Sequence, residues 1–339
     1  MVFVAIYVIL TISLNLQYGY AGIPNFGLVA FVALGGYVSG ALTGRIAMIY
    51  YGINARGLDY IEDNTKIILM LNNYLSKDPL GGLLIFFTTI ILSILAGALL
   101  AYIVSYPVIR LRADYLIITL IGIGELMRLI GVNYTPLVGG TLWVGVPNLF
   151  IWAKPYDTLL IVGIIVLFTI LIYIFTELLT SSPYGRTLKA LREDDVTLRF
   201  MGKKIDSIKI QVLIIGSSLA SIAGVLLAIY LGVVIASSYI RSDWTYWPWL
   251  MMLIGGRGNN KGAVVGASTI VVARQLVAIY KHDIEHFFPF SVVWLEQLLL
   301  GILLILFVIF RPQGILPEKP SKIRGVDLEK IYREIKERA

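Results

Sequence analysis

Two charged residues inside an apolar stretch are the first candidates for chemistry in this sequence. Glu125 and Arg128 lie three residues apart in a segment where an ionisable group is costly unless it is paired or faces water. The i, i+3 spacing places both side chains on one helix face, so that they can form an ion pair. Contact with a zwitterionic ligand and a role confined to helix packing both fit this pattern, and the sequence leaves the two open.

Two other segments resemble enzyme motifs. Residues His282–His286 read His-Asp-Ile-Glu-His, which fits the H-x-x-E-H zinc pattern. They are the only two histidines of the chain and no third ligand is apparent, so we predict no metal site. Residues Gly256–Gly262 resemble a phosphate-binding loop, but the lysine spacing is wrong and no Ser or Thr follows it. We therefore expect no catalytic residue and no bound cofactor.

The composition limits which elements can position these residues. Hydrophobic residues make up 58% of the 339 residues and charged residues 14%, against roughly a quarter charged in a soluble domain. Several stretches of about 20 or more residues lack any charge, which is the length a helix needs to cross the hydrocarbon of a bilayer. This composition excludes a soluble enzyme and predicts an all-α polytopic transmembrane helical bundle in the lipid bilayer.

About eight spans are predicted, within a range of eight to ten, with one or two broken or re-entrant helices. The apolar run from Val2 reaches a Gly-rich element, Leu14–Gly22, which is either a break within a helix or a tight turn between two spans. A segment from Trp244 to Ile254 is expected to dip partway into the membrane. The other predicted spans are residues 27–50, 83–109, 114–133, 157–179, 208–235, 262–280 and 291–310.

The charges of the loops orient these spans, because short loops with an excess of Lys and Arg stay in the cytoplasm. The loop at 181–211 holds seven basic and four acidic residues, and the tail from Arg311 holds eight and five. Residues 51–82 hold three basic and four acidic residues. We predict a transmembrane domain over 1–310, with an external insertion at 51–82 and a cytoplasmic loop at 181–209, and a cytoplasmic tail over 311–339. The basic residues are thus explained by topology, and no nucleic acid is expected.

The cytoplasmic loop has the pattern of an amphipathic helix or helix pair. One arc of the helix holds Leu188, Leu191, Leu198 and Met201, and basic side chains lie opposite. Gly202 follows and suits a left-handed helix cap. By composition alone, the loop either packs on its own bundle or inserts an apolar ridge into a soluble partner.

A family resemblance decides between these two interpretations. The loop, followed by Ala220–Leu226, closely resembles the permeases of the branched-chain amino-acid ABC transporters, in particular the LivM-type subunit. The sequence departs from that family at Thr197-Leu198, where an Ala-Ala pair is usual, and at 51–82, which has no counterpart. Four further blocks match in order. They are Leu14–Leu16 with Gly19–Gly22; Leu111-Arg112 and Asp114–Leu116 with Gly124-Glu125 and Arg128-Leu129; Leu250–Met252 with Gly255–Gly258 and Gly262; and Arg311-Pro312 with Gly314.

The resemblance implies a permease subunit that translocates branched-chain or related amino acids across the cell membrane, without being an enzyme itself. It implies cytoplasmic ABC ATPase subunits that bind ATP and magnesium, a second related permease and an extracellular substrate-binding protein. The loop would be the coupling helix seated on an ATPase. Its contact residues would be Arg186, Leu188, Leu191, Asp194, Asp195, Leu198, Met201 and Gly202.

The substrate pathway has its own candidate residues. A helix break at membrane depth is tolerated only where protein or a water-filled path satisfies the freed backbone groups. We therefore predict that the pathway includes Asn15, Gly19 and Gly22 at the break, together with Glu125 and Arg128.

Other functions share part of this pattern. A urea or short-amide ABC permease would carry the same motifs, and an ion-coupled secondary transporter would need no ATPase. A membrane metalloprotease would depend on His282 and His286 alone. The tail from Asp327 is predicted to be a short amphipathic helix that either docks on an ATPase or lies on the lipid surface.

Overall fold

Helices dominate the computed structural model, which describes residues 1–53, 59–280, 292–311 and 313–318. Two short strands, β1 (Trp143–Gly145) and β2 (Val233–Ile235), pair antiparallel. Two π-helical segments, Asn15–Tyr20 and Ser242–Tyr246, adjoin α-helices. The helices are α1 (Val2–Leu14), α2 (Leu28–Tyr50), α3 (Asn64–Leu75), α4 (Pro79–Arg110), α5 (Ala113–Asn133), α6 (Thr135–Val138), α7 (Asp157–Ser181), α8 (Pro183–Glu193), α9 (Asp195–Phe200), α10 (Ile205–Leu231), α11 (Trp247–Gly255), α12 (Asn260–Ile279) and α13 (Val292–Phe310).

The helices confirm the predicted all-α transmembrane bundle. Among the described residues, seven helical segments are long and apolar enough to cross a membrane. Helix α13 adds a further segment of 19 residues, which packs against α11. The predicted span at 208–235 is displaced, because Gly232 takes a positive φ of 66° and ends α10, after which residues Val233–Ile235 form β2.

Small residues allow the central helices α2, α4 and α10 to approach closely. Gly224 of α10 faces the backbone of α2, where an added Cβ would lie 3.0 Å from the Gly36 nitrogen and closer still to the Val32 carbonyl oxygen. The hydroxyls of Ser93 and Ser221 lie 2.6 Å apart between α4 and α10. Membrane helices associate through such close packing and interhelical hydrogen bonds, since lipid supplies no hydrophobic driving force between them.

We expect Gly224→Val to destabilise the bundle. The added atoms would overlap the α2 backbone, and overpacking of this kind costs roughly 1–3 kcal/mol or more. Gly163→Val is the matched control, because no described atom lies within 4 Å of a Cβ at that position on α7. In a thermal-shift measurement on purified permease, Gly224→Val should melt at a lower temperature and Gly163→Val should not. Equal melting temperatures would contradict the packing argument.

The first span continues past the point where the sequence allowed a break. Helix α1 passes into the π-helical segment Asn15–Tyr20, and together they form one apolar span of 19 residues. The backbone stays bonded just beyond the π-helical segment, since the Gly22 nitrogen donates to the Tyr18 oxygen at 3.0 Å and the Ile23 nitrogen to the Gln17 oxygen at 2.9 Å. Gly22, with φ of 75°, then closes the turn before α2. Of the two interpretations of Leu14–Gly22, the structure has the turn between two spans.

The Trp-rich segment crosses only part of the membrane and is called the half-span below. The π-helical segment Ser242–Tyr246 runs directly into α11, and nearly all α11 side chains are buried. The two together are only roughly 21 Å long at the helical rise, which is short of the roughly 30 Å of hydrocarbon. The chain before them descends as β2 and a 3-10 turn, Ala236–Ser238, rather than as α-helix. Residues 242–255, here called the discontinuous helix, therefore begin inside the bundle.

Two distinct sets of loops lie at opposite ends of the bundle. At one, here called the α8 end, the Ile315 and Leu316 nitrogens donate to the carbonyls of Ile254 and Gly255, which brings residues 313–318 beside α11. The π-helical end of α1 also contacts α8. At the other, the β end, the Gly145 nitrogen donates to Asn64 Oδ1 at 2.8 Å, which ties β1 to α3. Since the first span ends at the α8 end, its other end, with Met1, lies at the β end.

Candidate functional site

Helices α8 and α9 form a hairpin with defined caps. The Ser182 hydroxyl accepts from the Tyr184 nitrogen at 3.2 Å at the start of α8. The Asp194 carboxylate caps α9, and hydrogen bonds from the Thr197 hydroxyl and the Val196 amide hold the pKa of the Asp194 carboxyl below its usual range. Gly202 ends α9 with φ of 74°, as its sequence position indicated. The local sequence thus fixes a rigid element rather than a loose loop.

The apolar side of this hairpin faces the protein's own bundle. Leu188, Leu191 and Leu198 are 0%, 5% and 5% exposed, so the expectation that these three leucines enter a partner is wrong for this structure. Periodicity identified the apolar arc correctly but could not identify what covers it. The fourth residue of the arc, Met201, is exposed, and so are two side chains that the arc did not include, Val196 and Phe200.

Two aspartate substitutions distinguish the buried from the exposed side. Leu191→Asp would place a carboxylate among apolar atoms, at a cost of roughly 2–7 kcal/mol for an unpaired polar group. Phe200→Asp replaces a side chain that is 87% exposed. Purified Leu191→Asp permease should melt at a lower temperature or fail to insert, whereas Phe200→Asp should match the parent protein. A Leu191→Asp variant with unchanged melting would show that the leucines do not support the fold.

A charged junction fastens the hairpin to the rest of the α8 end. The Arg192 guanidinium donates to the Gly19 carbonyl oxygen, and its other nitrogen lies 2.7 Å from Glu318 Oε2. Lys189 Nζ lies 2.7 Å from the second Glu318 oxygen. Helix α8 is therefore joined both to the end of the first span and to the segment that follows α13.

Asparagine side chains extend the junction to two further helices. Asn15 Nδ2 donates to Asn260 Oδ1 at 3.1 Å, and Asn15 Oδ1 accepts from the Gly258 nitrogen at 2.8 Å. Asn260 Nδ2 in turn donates to Thr180 Oγ1 and Glu177 Oε2, both at 2.9 Å. A single buried network thus connects the first span, α7, α12 and the turn before α12.

This network changes the interpretation of the three residues predicted at the helix break. Asn15 and Gly19 are buried in the junction, and a Cβ at Gly19 would lie 2.7 Å from the Gly258 nitrogen. Gly22 lies beside Arg192 at the edge of a cleft of about 310 Å³ at the α8 end. The structure therefore places Asn15 and Gly19 at the packing contact between the first span and the turn before α12, and Gly22 beside α8. Glycine is required there for close approach.

Glu125 and Arg128 form the predicted ion pair on α5. Arg128 Nε lies 2.9 Å from Glu125 Oε1, and the side chains are 29% and 32% exposed. Arg241, just before the half-span, approaches Glu125 Oε2 at 3.8 Å. Glu125 lies roughly 18 Å along α5 from its start, so the group sits near mid-depth. It is partly open on the α5 surface and joins α5 to the discontinuous helix.

We expect the two members of this pair to differ in importance for folding. Glu125→Gln would leave Arg128 and Arg241 as neighbouring like charges at membrane depth, where unpaired charge is costly. Arg128→Gln would leave Glu125 beside Arg241. The yield of inserted, monodisperse permease should therefore fall more in Glu125→Gln than in Arg128→Gln. The reverse order would contradict the arrangement of three charges.

A second group of charges at a similar depth was not predicted from the sequence. Arg274 Nη2 of α12 lies 3.5 Å from Asp243 Oδ1 in the half-span, and Arg274 Nη1 donates to the Tyr7 hydroxyl at 3.0 Å. The guanidinium also lies 4.3 Å from the centre of the Trp247 ring. The isolated charge of Arg274 within a predicted span was the available signal, but its partners are distant in sequence.

No metal centre emerges from the described residues, since no three His, Cys, Asp or Glu side chains come together in residues 1–53, 59–280, 292–311 and 313–318. The segment His282–His286 lies outside the described residues, as does the tail from Asp327.

The seven apolar helical segments among the described residues define a multi-pass membrane protein. Comparison with known sequences identifies its kind. The chain belongs to the family described as the branched-chain amino acid transport system permease component, whose sequence profile matches residues 1–308. The family consists of transport permeases, so the prediction of a permease rather than an enzyme is confirmed.

Individual relatives agree with the family assignment. A probable branched-chain amino acid transport permease protein LivM of Methanocaldococcus jannaschii is 37% identical over 318 residues, which cover 93% of this chain and 91% of the relative. The high-affinity branched-chain amino acid transport system permease protein LivM of Escherichia coli is 27% identical, covering 92% of this chain and 68% of its own. The corresponding LivH protein of Escherichia coli is 24% identical, covering 81% and 82%. No solved structure gave a significant match.

Proposed function

We propose that this chain is a membrane-spanning permease subunit of an ABC importer for branched-chain amino acids. The single observation that supports this most strongly is the match of nearly the whole chain to permeases named for that transport. The basic loop at 181–211 and the basic tail favour the α8 end as the cytoplasmic one. Under this orientation the β end faces outward, Met1 lies outside and the tail after Arg311 lies in the cytoplasm.

The importer would be completed by other subunits. Cytoplasmic ATPases would bind ATP and magnesium, a second related permease would form the other half of the pathway, and an external binding protein would deliver the amino acid at the β end. The described residues of this chain contribute no phosphate loop, since Gly256–Asn259 serves as a turn packed against residues 313–318. ATP hydrolysis therefore belongs to the partners in this proposal.

The surface offered to an ATPase would be the outer side of α9 rather than the leucine arc. Val196, Phe200 and Met201 are 55%, 87% and 70% exposed. Arg186 of α8 and Arg199 of α9 are exposed basic side chains of the same hairpin. A compact apolar patch with a charged rim is the usual anatomy of a protein interface.

A displacement of the hairpin would reach the centre of the membrane through the α8 junction. Arg192 ties α8 to the first span through Gly19, and Asn15 ties that span to α12 through Asn260. The first span and α12 carry Tyr7 and Arg274, roughly 20 Å away along each helix. Closure of the ATPases would thereby re-orient the helices that hold the mid-depth charges. Alternating access of this type requires that ATP and substrate each bind the two conformations unequally.

Phe200→Asp tests the docking surface. In a complex reconstituted in liposomes with its ATPases and binding protein, a charge placed in the apolar contact should abolish ATPase attachment, uptake, and binding-protein-stimulated hydrolysis. Insertion should be retained, because Phe200 does not support the fold. Leu142→Asp is the control, since Leu142 is 71% exposed near the β end and should not affect ATPase attachment.

The outcomes separate the possible functions. Attachment and stimulated hydrolysis at the parent level in Phe200→Asp would remove α9 from the coupling surface. Leucine uptake that proceeds without ATP would favour an ion-coupled transporter. Uptake of urea in place of leucine would identify the alternative ABC permease; the opposite charges near mid-depth favour a zwitterion over that neutral molecule.

A further inference from the structure

A cavity of about 410 Å³ opens between the first span, α10, α12 and the discontinuous helix. Tyr7, Asp243 and Arg274 line it together with aliphatic side chains of α10, β2 and α12. Its volume is within the roughly 300–1,000 Å³ that small-molecule sites occupy. Since Tyr7 and Arg274 lie roughly 20 Å along their helices from the α8 end, the cavity reaches membrane depth from the β end.

The charges that line this cavity are of opposite sign and form an ion pair. Among its described lining residues, Asp243 and Arg274 are the charged ones, and their side chains are 35% and 25% exposed. The 3.5 Å between Asp243 Oδ1 and Arg274 Nη2 exceeds the about 2.7–2.9 Å of a charge-assisted hydrogen bond. Partly exposed charges at this depth are tolerated where they face water or a ligand.

Aromatic side chains contact the Arg274 guanidinium. The Arg274 guanidinium lies 4.3 Å from the centre of the Trp247 ring and donates to the Tyr7 hydroxyl at 3.0 Å. The Tyr7 ring itself stacks on Trp244, with centroids 5.7 Å apart. A planar guanidinium matches the geometry of a carboxylate.

The remaining wall of the cavity is apolar. Leu227 and Leu231 of α10, Val233 and Ile235 of β2, and Val271 of α12 contribute to it. An aliphatic side chain placed against this wall would leave water, while polar groups of the same ligand would reach Asp243 and Arg274. Small-molecule sites usually combine a largely apolar wall with a few polar groups.

From this arrangement we infer that the cavity is a binding site for a zwitterionic amino acid with an aliphatic side chain. Arg274 receives the α-carboxylate, Asp243 receives the α-ammonium, and the α10 and β2 wall receives the side chain. This inference rests on the proposed import function and assigns its substrate contact within this chain. The site differs from the predicted Glu125 and Arg128 pair, which lies on the other side of the discontinuous helix.

Ligand analogues combined with matched variants test the assignment of charges. The permease–ATPase complex in lipid nanodiscs, without binding protein, is titrated with radiolabelled leucine, leucinamide and 4-methylpentanoate. The last two lack the carboxylate and the ammonium, respectively. Each should bind the parent complex roughly tenfold to a hundredfold more weakly than leucine, as expected for loss of one hydrogen bond to a charged group.

The variants should remove these differences selectively. Arg274→Gln should weaken leucine binding to the level of leucinamide and leave leucinamide binding unchanged. Asp243→Asn should do the same with respect to 4-methylpentanoate. Arg45→Gln is the control, since Arg45 bonds to the Ala41 and Pro136 carbonyls elsewhere in the protein and should leave leucine preferred. Unchanged discrimination in both cavity variants, or equal losses for all three ligands, would overturn the inference.

A second measurement does not depend on altering a charge. The chain has no cysteine, so Ser238→Cys, at an exposed position that lines the cavity, introduces one reactive thiol. Leucine should slow its reaction with a thiol reagent and leucinamide at the same concentration should not, whereas Asn73→Cys on α3 should react at one rate throughout. Absence of protection by leucine would overturn the inference. A reconstituted importer that takes up leucine under these conditions would leave the proposed function intact, and one that does not would remove both.

Discussion

The contact between the Arg192 guanidinium and the Gly19 carbonyl is the interaction on which the α8 end depends. Backbone groups near a membrane must find partners within the protein, and the π-helical end of the first span presents a carbonyl where no α-helical turn follows. Arg192 packs closely against Gly22, where an added Cβ would lie 3.1 Å from the Arg192 side chain, and from there reaches the Gly19 carbonyl. The same guanidinium is paired with Glu318. One side chain therefore unites a membrane span, a surface helix and the segment after the last helix.

This arrangement explains why the hairpin is both well anchored and suited to transmit movement. Its leucines hold it to the bundle, so it cannot swing freely, and its exposed apolar residues lie on the shorter helix α9. The hydrogen bonds of the neighbouring network join polar side chains, from Asn15 through Asn260 to Glu177. Breaking one member of such a network leaves others unsatisfied at a cost of roughly 1–3 kcal/mol each. The elements at this end are accordingly expected to move together.

Sequence patterns predicted the spans well because hydrophobicity over 20 residues is a local property, and the positive φ of Gly202 was predicted for the same reason. Errors arose where the answer depended on distant residues. The leucine arc at 188–198 was visible, but its neighbours α7 and the first span are not encoded in the loop. The contact of Asn15 with Asn260 was not predicted, because the two residues are remote in sequence. The ion pair of Asp243 with Arg274 was missed for that reason too.

The start of the discontinuous helix contributes one residue to each of two ion pairs. Arg241 and Asp243 are separated by one residue at its start, and they pair in different directions, with Glu125 of α5 and Arg274 of α12. Since two charged contacts on different helices depend on three adjacent residues, any shift of this segment changes both at once. A movement of α12 imposed through Asn260 would reach α5 by this route, from Arg274 through the discontinuous helix to Glu125.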